Sequence, residues 1–205
     1  MWVTVDGNIG TGKSTLLAQL RRRGYETLPE PVGEGGKPGA WDALLRDLYD
    51  GAPGAGYRMQ RRVVMDRGLD NEVVRLAGDS VVRVMERSPG AQRATFVRAN
   101  SFSEEESADI EALYDAAASL WAPRACIYLR ASPQRAYERM SSRGRSSETR
   151  VPLQYIEQLH SYHECYFEQV PGAVVVDVDD MLPQQVADAV ESVIAGLNLH
   201  RTNRC

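Results

Sequence analysis

Gly7-Asn8-Ile9-Gly10-Thr11-Gly12-Lys13-Ser14 is the stretch that decides the fold of this chain. It satisfies G-x-x-x-x-G-K-[ST] and stands between a β-branched run, Trp2–Asp6, and a helical stretch over 13–23. The glycines let successive backbone N–H groups curl around phosphate oxygens, and the helix start adds partial positive charge. The cradle comprises Gly7, Asn8, Ile9, Gly10, Thr11, Gly12, Lys13, Ser14 and Thr15. Lys13 is placed to reach the β- and γ-phosphates, and the Ser14 hydroxyl to ligate Mg²⁺. Of the 24 basic residues only Lys13 and Lys37 are lysines. A lysine retained here fits a demand for a compact ammonium rather than a planar guanidinium. The chain is expected to bind a nucleoside triphosphate.

Outward from the cradle, β-type runs recur at 25–28, 81–86, Ala125–Arg130 and 173–178. Their β-branched density suits strands covered on both faces. Helical stretches alternate with them. Residues 41–50 carry Trp41, Leu44, Leu45, Leu48 and Tyr49 at helical spacing. Ser103-x-x-Glu106 is a capping box opening a helix to about Trp121. The last helix has Pro183 near its start and Val186, Val190, Val193, Ile194 and Leu197 on one face. Loops fall at 33–39 and 51–56, and 200–205 reads as a polar tail. The alternation predicts an α/β fold, a five-stranded parallel sheet flanked by helices, in one domain over 1–205.

Composition narrows the class. At 205 residues and 43% hydrophobic, the chain can build a proper core. No apolar run approaches the roughly 18 residues of a membrane span, and Met1-Trp-Val-Thr-Val lacks signal-peptide regions. Three cysteines, widely spaced and without a CxxC pair, suit a reducing compartment, with Cys126 in the core. A cytoplasmic location is expected. The net charge of −4 argues against a nucleic-acid-binding surface.

Three further segments carry chemistry. Glu30, in Leu28-Pro29-Glu30-Pro31-Val32, falls at the carboxyl edge of the sheet, where open α/β sheets bind ligands. It reads as a base for an attacking hydroxyl or as a solvated loop glutamate. Glu86-Arg87-Ser88 ends the third strand and offers a metal-facing carboxylate and a cation, or a strand-end salt bridge. Arg139, Arg143 and Arg145 near a Gly/Ser-rich bend suit a mobile lid, about 141–150, or an ordinary basic loop.

Together these segments resemble the deoxynucleoside kinase family. That family includes deoxycytidine, deoxyguanosine and mitochondrial-type thymidine kinases, the insect broad-specificity enzyme and some viral thymidine kinases. The similarity runs from residue 3 to about 178. It rests on Asp6-Gly7-Asn8-Ile9-Gly10 with Lys13-Ser14-Thr15, Glu30-Pro31-Val32, Glu86-Arg87-Ser88, and Ile127-Tyr128-Leu129-Arg130 with Ser132-Pro133 and Tyr137-Glu138-Arg139. Val151-Pro152-Leu153, Tyr155, Leu159-His160 and His163-Glu164 match further on.

The resemblance implies a P-loop kinase with strand order 2-3-1-4-5. It implies phosphoryl transfer from ATP, with Mg²⁺, to a deoxynucleoside 5′-hydroxyl. Glu30 would be the general base, Arg87 its partner and a stabiliser of the phosphoryl group, and Glu86 a holder of Mg²⁺ with Ser14. Tyr49 and Glu148 would bind the 3′-hydroxyl, Gln60 the base edge and Phe96 the base face. Arg139, Arg143 and Arg145 would serve the lid. Homodimers are implied too, with apolar stretches at 41–49 and 57–76 available as an interface.

Three departures bear on base choice. Relatives place an aromatic residue a few positions after Glu-Pro-Val, where this chain has Gly33-Glu34-Gly35-Gly36, leaving a wider pocket or a place for Trp41. Pro89-Gly90-Ala91 replaces the relatives' bulky pair and serine. Arg67 matches an arginine of the deoxycytidine and deoxyguanosine kinases, but its aspartate partner is here Gln92. A donor-rich pocket of Gln60, Arg67 and Gln92 favours a keto oxygen, O4 of thymine or O6 of guanine, hence thymidine over deoxycytidine with a broad range, unless Arg67 points away into solvent or a salt bridge.

Two rivals are weaker. A nucleoside monophosphate kinase needs an arginine clamp where Glu30 would repel the acceptor phosphate. A regulatory GTP switch needs an N-K-x-D motif, and neither lysine stands in one.

Overall fold

The computed structural model describes residues 2–33, 39–69, 82–120 and 123–202. Its strands are β1 (Trp2–Asp6), β2 (Glu26–Leu28), β3 (Arg83–Glu86), β4 (Ala125–Arg130) and β5 (Val174–Asp177). They form one parallel sheet in the order β2-β3-β1-β4-β5, as the resemblance implied. β1 is paired on both edges, with Val5 opposite Glu86 on one side and Ile127 on the other. Leu28 of β2 sits opposite Met85. This register brings Glu30, Glu86, Arg87 and the glycine loop after β1 to one sheet edge.

The helices are α1 (Lys13–Arg22), α2 (Asp42–Tyr49), α3 (Ala55–Val64), α4 (Pro89–Gln92), α5 (Glu104–Leu120), α6 (Pro133–Arg143), α7 (Leu153–Phe167) and α8 (Pro183–Thr202). α3 and α4 each pass into a π-helical turn, Met65–Leu69 and Arg93–Val97. The capping box forms as expected. The Ser103 N–H donates to the Glu106 carboxylate at 3.0 Å, and the Glu106 N–H to the Ser103 hydroxyl at 3.2 Å.

Val3, Val5, Leu16, Leu17, Leu20, Val84, Ile127 and Leu129 make the main core with α7 and α8 residues such as Ile156, Leu159, Val190 and Ile194. A second cluster on Tyr128 and Phe167 is joined by Cys126, which is only half-buried rather than in the core. Among the described residues no helix is long and apolar enough to cross a membrane.

Several boundaries move, each for a local reason. β2 starts after Tyr25, whose N–H closes the end of α1 on Leu20 O at 3.1 Å instead of pairing in the sheet. β5 starts after Ala173, whose N–H closes a turn on Val170 O at 3.2 Å. Val81 and Trp121 lie outside the described residues. The tail expected from 200 is helical through Thr202. The lid expected over 141–150 is not one loop. α6 continues to Arg143, Gly144 breaks it, and Ser146–Glu148 form a 3₁₀ turn. In the apolar stretch at 41–49, the partly buried Leu44, Leu45 and Leu48 pack with Trp41 against Met59 and Val63 of α3.

Candidate active site

The cradle is built from backbone. Gly7, Gly10 and Gly12 all take positive φ, 144°, 81° and 93°. A Cβ on Gly10 would collide with the carbonyl of Ala136 in α6, so this position admits no side chain. Asn8 braces the loop from below. Its Nδ2 donates to Ile156 O at 2.8 Å, and its Oδ1 accepts the Ile9 N–H at 2.8 Å. The Lys13 ammonium, buried at the loop's centre, donates to Asn8 O at 2.6 Å. Burial, followed by the neighbouring Arg87 guanidinium, brings its pKa down to about 7, against the opposing pull of Glu86 and Glu30.

Glu30 and Arg87 meet beside this lysine, with Arg87 Nε 2.7 Å from Glu30 Oε1. Burial pushes the Glu30 carboxyl up, but Arg87, Lys13 and Arg67 outweigh it and hold the group below its usual range. Arg87 is itself held in several ways. Its Nη1 donates to Gly7 O at 2.5 Å, its N–H to Val5 O at 2.8 Å, and its guanidinium lies 4.3 Å from the Phe96 ring centre. Its backbone sits at φ 63°, and among the described residues no other non-glycine has positive φ. Such strain persists only where neighbours over-determine it. Asp6 is one such neighbour, accepting from the Ser88 N–H at 2.7 Å and the Ser88 hydroxyl at 3.2 Å.

Ser14 and Glu86 also come together. The hydroxyl donates to the carboxylate oxygens at 3.3 and 3.4 Å, and the Glu30 N–H reaches Glu86 at 3.4 Å. Burial and the charge of Glu30 raise the Glu86 pKa, which a nearby cation would relieve. One hydroxyl and one carboxylate fit Mg²⁺, which binds through one or two protein oxygens plus substrate phosphates and water.

Two cavities flank the cradle. The first, a cleft, is lined by Glu30, Tyr49, Gln60, Arg87, Gln92, Phe96 and Glu148, with Trp41 and Met59 on its apolar wall. Tyr49 stands edge-on to Tyr155 at 6.2 Å, and burial raises its hydroxyl pKa well above the usual value. The second cavity, about 390 Å³, lies behind Gly10, Thr11 and Gly12, between Arg139 and the Val178–Pro183 segment. Arg143 lines both.

Several expected residues are placed differently. Arg139 is on helix α6, tied to Val178 O at 2.7 Å and Asp179 O at 3.0 Å, rather than in a lid bend. Arg143 grips both Glu148 oxygens at 2.6 and 2.8 Å, and Arg145 approaches Glu148 at 3.5 Å. Arg67 is a correction. Its guanidinium donates to the backbone carbonyls of Pro29 (2.8 Å) and Glu86, so it braces two strand ends and lines a small neighbouring chamber rather than the cleft itself. Gln92 does line that cleft, but its Nε2 donates to Gln60 Oε1 at 3.0 Å. Trp41 reaches the wall from the start of α2, its Nε1 donating to Asp66 at 2.8 Å.

The family model for deoxynucleoside kinases matches residues 3–198. The chain belongs to that family. This deoxynucleoside kinase is therefore a phosphotransferase. It is 28% identical over 166 residues to a putative deoxynucleoside kinase of Frog virus 3, covering 78% of each chain. To human mitochondrial thymidine kinase 2 it is 30% identical over 177 residues, 79% of this kinase and 62% of that protein. To chicken deoxycytidine kinase 2 it is 27% identical over 219 residues, 92% and 82% of the two chains. Its fold is shared with a deoxyadenosine kinase of M. mycoides, solved with dCMP and dCDP, at a TM-score of 0.74 and 21% identity over 96% of this kinase and 100% of that chain.

Two site residues escaped the reading of the kinase's sequence. Asp6 precedes the glycine loop, and its carboxylate inside a buried strand is the signal that marks it. Asp42 opens α2 and accepts from the Gly33 N–H at 3.0 Å, from the Gly39 N–H, and from the Ser147 hydroxyl at 3.3 Å. It thereby joins the glycine-rich loop to the turn that carries Glu148.

Proposed function

We propose that the enzyme transfers the γ-phosphoryl group of ATP to the 5′-hydroxyl of a deoxynucleoside. The observation that carries this reading is the Glu30–Arg87 pair, 2.7 Å apart, beside Lys13 where the two cavities approach each other. Glu30 is ionised and takes the hydroxyl proton as the oxygen attacks. Lys13 and Arg87 neutralise charge on the transferring group, so catalysis is positioning plus electrostatics. Mg²⁺, held by Ser14 and Glu86, would add charge neutralisation at the β- and γ-phosphates. The 390 Å³ cavity, walled by Leu16, Met181 and Val186, suits the adenine of the donor.

For the acceptor, Tyr49 and Glu148 take the 3′-hydroxyl, Phe96 the base face and Gln60 the base edge. Arg67 is engaged with backbone carbonyls and is not a free donor for a thymine keto oxygen in the cleft. Gln60 remains as reader, with thymidine and deoxycytidine both candidates, distinguished by which way its amide is turned. Relatives named for each of these substrates fit that range. A homodimer remains part of the proposal, with the α3 end as its surface, where Met65 is 42% exposed. Sedimentation of the purified protein tests it.

Incubation with ATP and each of four deoxynucleosides, or their monophosphates, tests the activity. A deoxynucleoside 5′-monophosphate is the expected product. Phosphorylation of monophosphates alone would replace this reading with the monophosphate kinase.

A further inference from the structure

Beside the cleft, and sharing Glu30, Val63, Arg87 and Gln92 with it, lies a second, small chamber of about 10 Å³, walled also by Tyr114, Arg67 and Val64. That is room for the centre of one water. Two residues of its walls, Tyr114 and Gln92, each carry a buried polar atom without a hydrogen-bond partner, the Tyr114 hydroxyl and Gln92 Oε1. Tyr114 is 2% exposed, and its ring packs with Val64, Val97, Ile110 and Ala117. A phenylalanine would fill that apolar site without a desolvated hydroxyl, so the oxygen needs a partner in the chamber. Burial raises its pKa, which keeps it a donor.

The other end of Gln92 touches base recognition. Its Nε2 donates to Gln60 Oε1 at 3.0 Å, so turning one amide would set like against like at the other. Arg67, on the chamber wall, has donors only, and its charge favours a carbonyl oxygen facing it over an amino group. A water there can join the Tyr114 hydroxyl to Gln92 Oε1, and the charge of Arg67, which favours the carbonyl oxygen on its side, sets the direction of that chain. Tyr114 then points through water to Gln92, and Gln92 to Gln60. Thymine presents N–H at N3 and cytosine presents a bare nitrogen, so a Gln60 amide that cannot turn suits one and not the other.

We propose that Tyr114 is a positioning residue for base selection, acting through one water in this chamber on the Gln92–Gln60 amide pair. The inference rests on Gln60 as the reader of the base edge. Its test is kcat/KM for thymidine and deoxycytidine in the wild type, Tyr114→Phe, Gln92→Leu and the double variant. The wild type is expected to prefer one nucleoside by about tenfold or more, and Tyr114→Phe to narrow the ratio to about threefold. Gln92→Leu should narrow it similarly, and Tyr114→Phe should add nothing to Gln92→Leu, because both cut one chain. A hydroxyl with a purely structural role would lower thermal stability and leave the ratio alone, which overturns the proposal. So would a wild type without preference, or single effects that multiply in the double variant. Gln60→Leu separates the two levels. If it removes base preference while Tyr114→Phe does not, the chamber inference fails and the reading of Gln60 stands. If Gln60→Leu leaves the preference intact, both fail.

Discussion

Nε of Arg87 lies 2.7 Å from Oε1 of Glu30, and the residue that supplies it holds a backbone angle of φ 63°. The strand end is thus bent to bring a cation to one carboxylate, which stays ionised despite burial. Glu30→Gln keeps the shape and removes the proton acceptor. Its kcat should fall by roughly 10²–10⁴ with KM changed far less. Steady-state kinetics decide this, since a raised KM with intact kcat would make Glu30 a binding residue only.

On the proposed function, Lys13 makes donor binding depend on pH. Burial and then Arg87 bring its pKa to about 7, so above that pH the free enzyme carries a neutral amine. A bound triphosphate favours the ammonium, and binding takes up a proton. Donor affinity should weaken about tenfold per pH unit above that point, until the lysine of the complex itself titrates. Calorimetry at pH 8 in buffers of different ionisation enthalpy reads the uptake directly. Heats independent of buffer would show that Lys13 stays charged throughout.

Gly10 and Gly12 allow a paired test of the cradle. Both have positive φ, but a Cβ at Gly10 would strike the Ala136 carbonyl, whereas one at Gly12 meets nothing within 4 Å. Each alanine variant incurs about 1–2 kcal/mol for the left-handed backbone. Gly10→Ala adds displacement of the loop from α6, so it should lose more thermal stability and more donor affinity. Equal losses would mean that the loop does not depend on its seat against α6.

His163 is fully buried, with Nδ1 2.6 Å from Leu159 O and its ring stacked on Tyr128 at 5.8 Å. Burial, then Arg87, lowers its pKa from 6.5 to about 3. Between those values the unfolded chain holds a proton that the folded chain does not. Stability should therefore fall as pH falls through that window, by up to about 1.4 kcal/mol per unit. Denaturant titrations at pH 7 and pH 5 measure the slope. His163→Phe should flatten it, and an unchanged slope would locate the acid sensitivity elsewhere.

Much of this was legible in short segments. The glycine loop, the strand before it and the Ser103–Glu106 box all rest on interactions within a few residues, so their spacing predicts their geometry. Glu30 and Glu86-Arg87 were readable because parallel strands deliver their carboxyl ends to one edge. Helix α7 was missed as an element, although Ile156, Leu159, His163 and Phe167 bury one face at helical spacing.

The sequence by itself determined the glycine loop between strand and helix, the parallel sheet and, through its motifs, the family. Tertiary structure alone decided where the long polar side chains go. Arg67 turns to the carbonyls of Pro29 and Glu86, 38 and 19 positions away, and Gln92 pairs with Gln60 across 32 positions. Arg139 reaches Val178 across 39, and Asp42 reaches Ser147 across 105. An arginine or glutamine has several rotamers that serve its local backbone equally well. Which one is occupied depends on the buried carbonyl or amide that packing brings within reach, because a polar group shut away from water must find a partner.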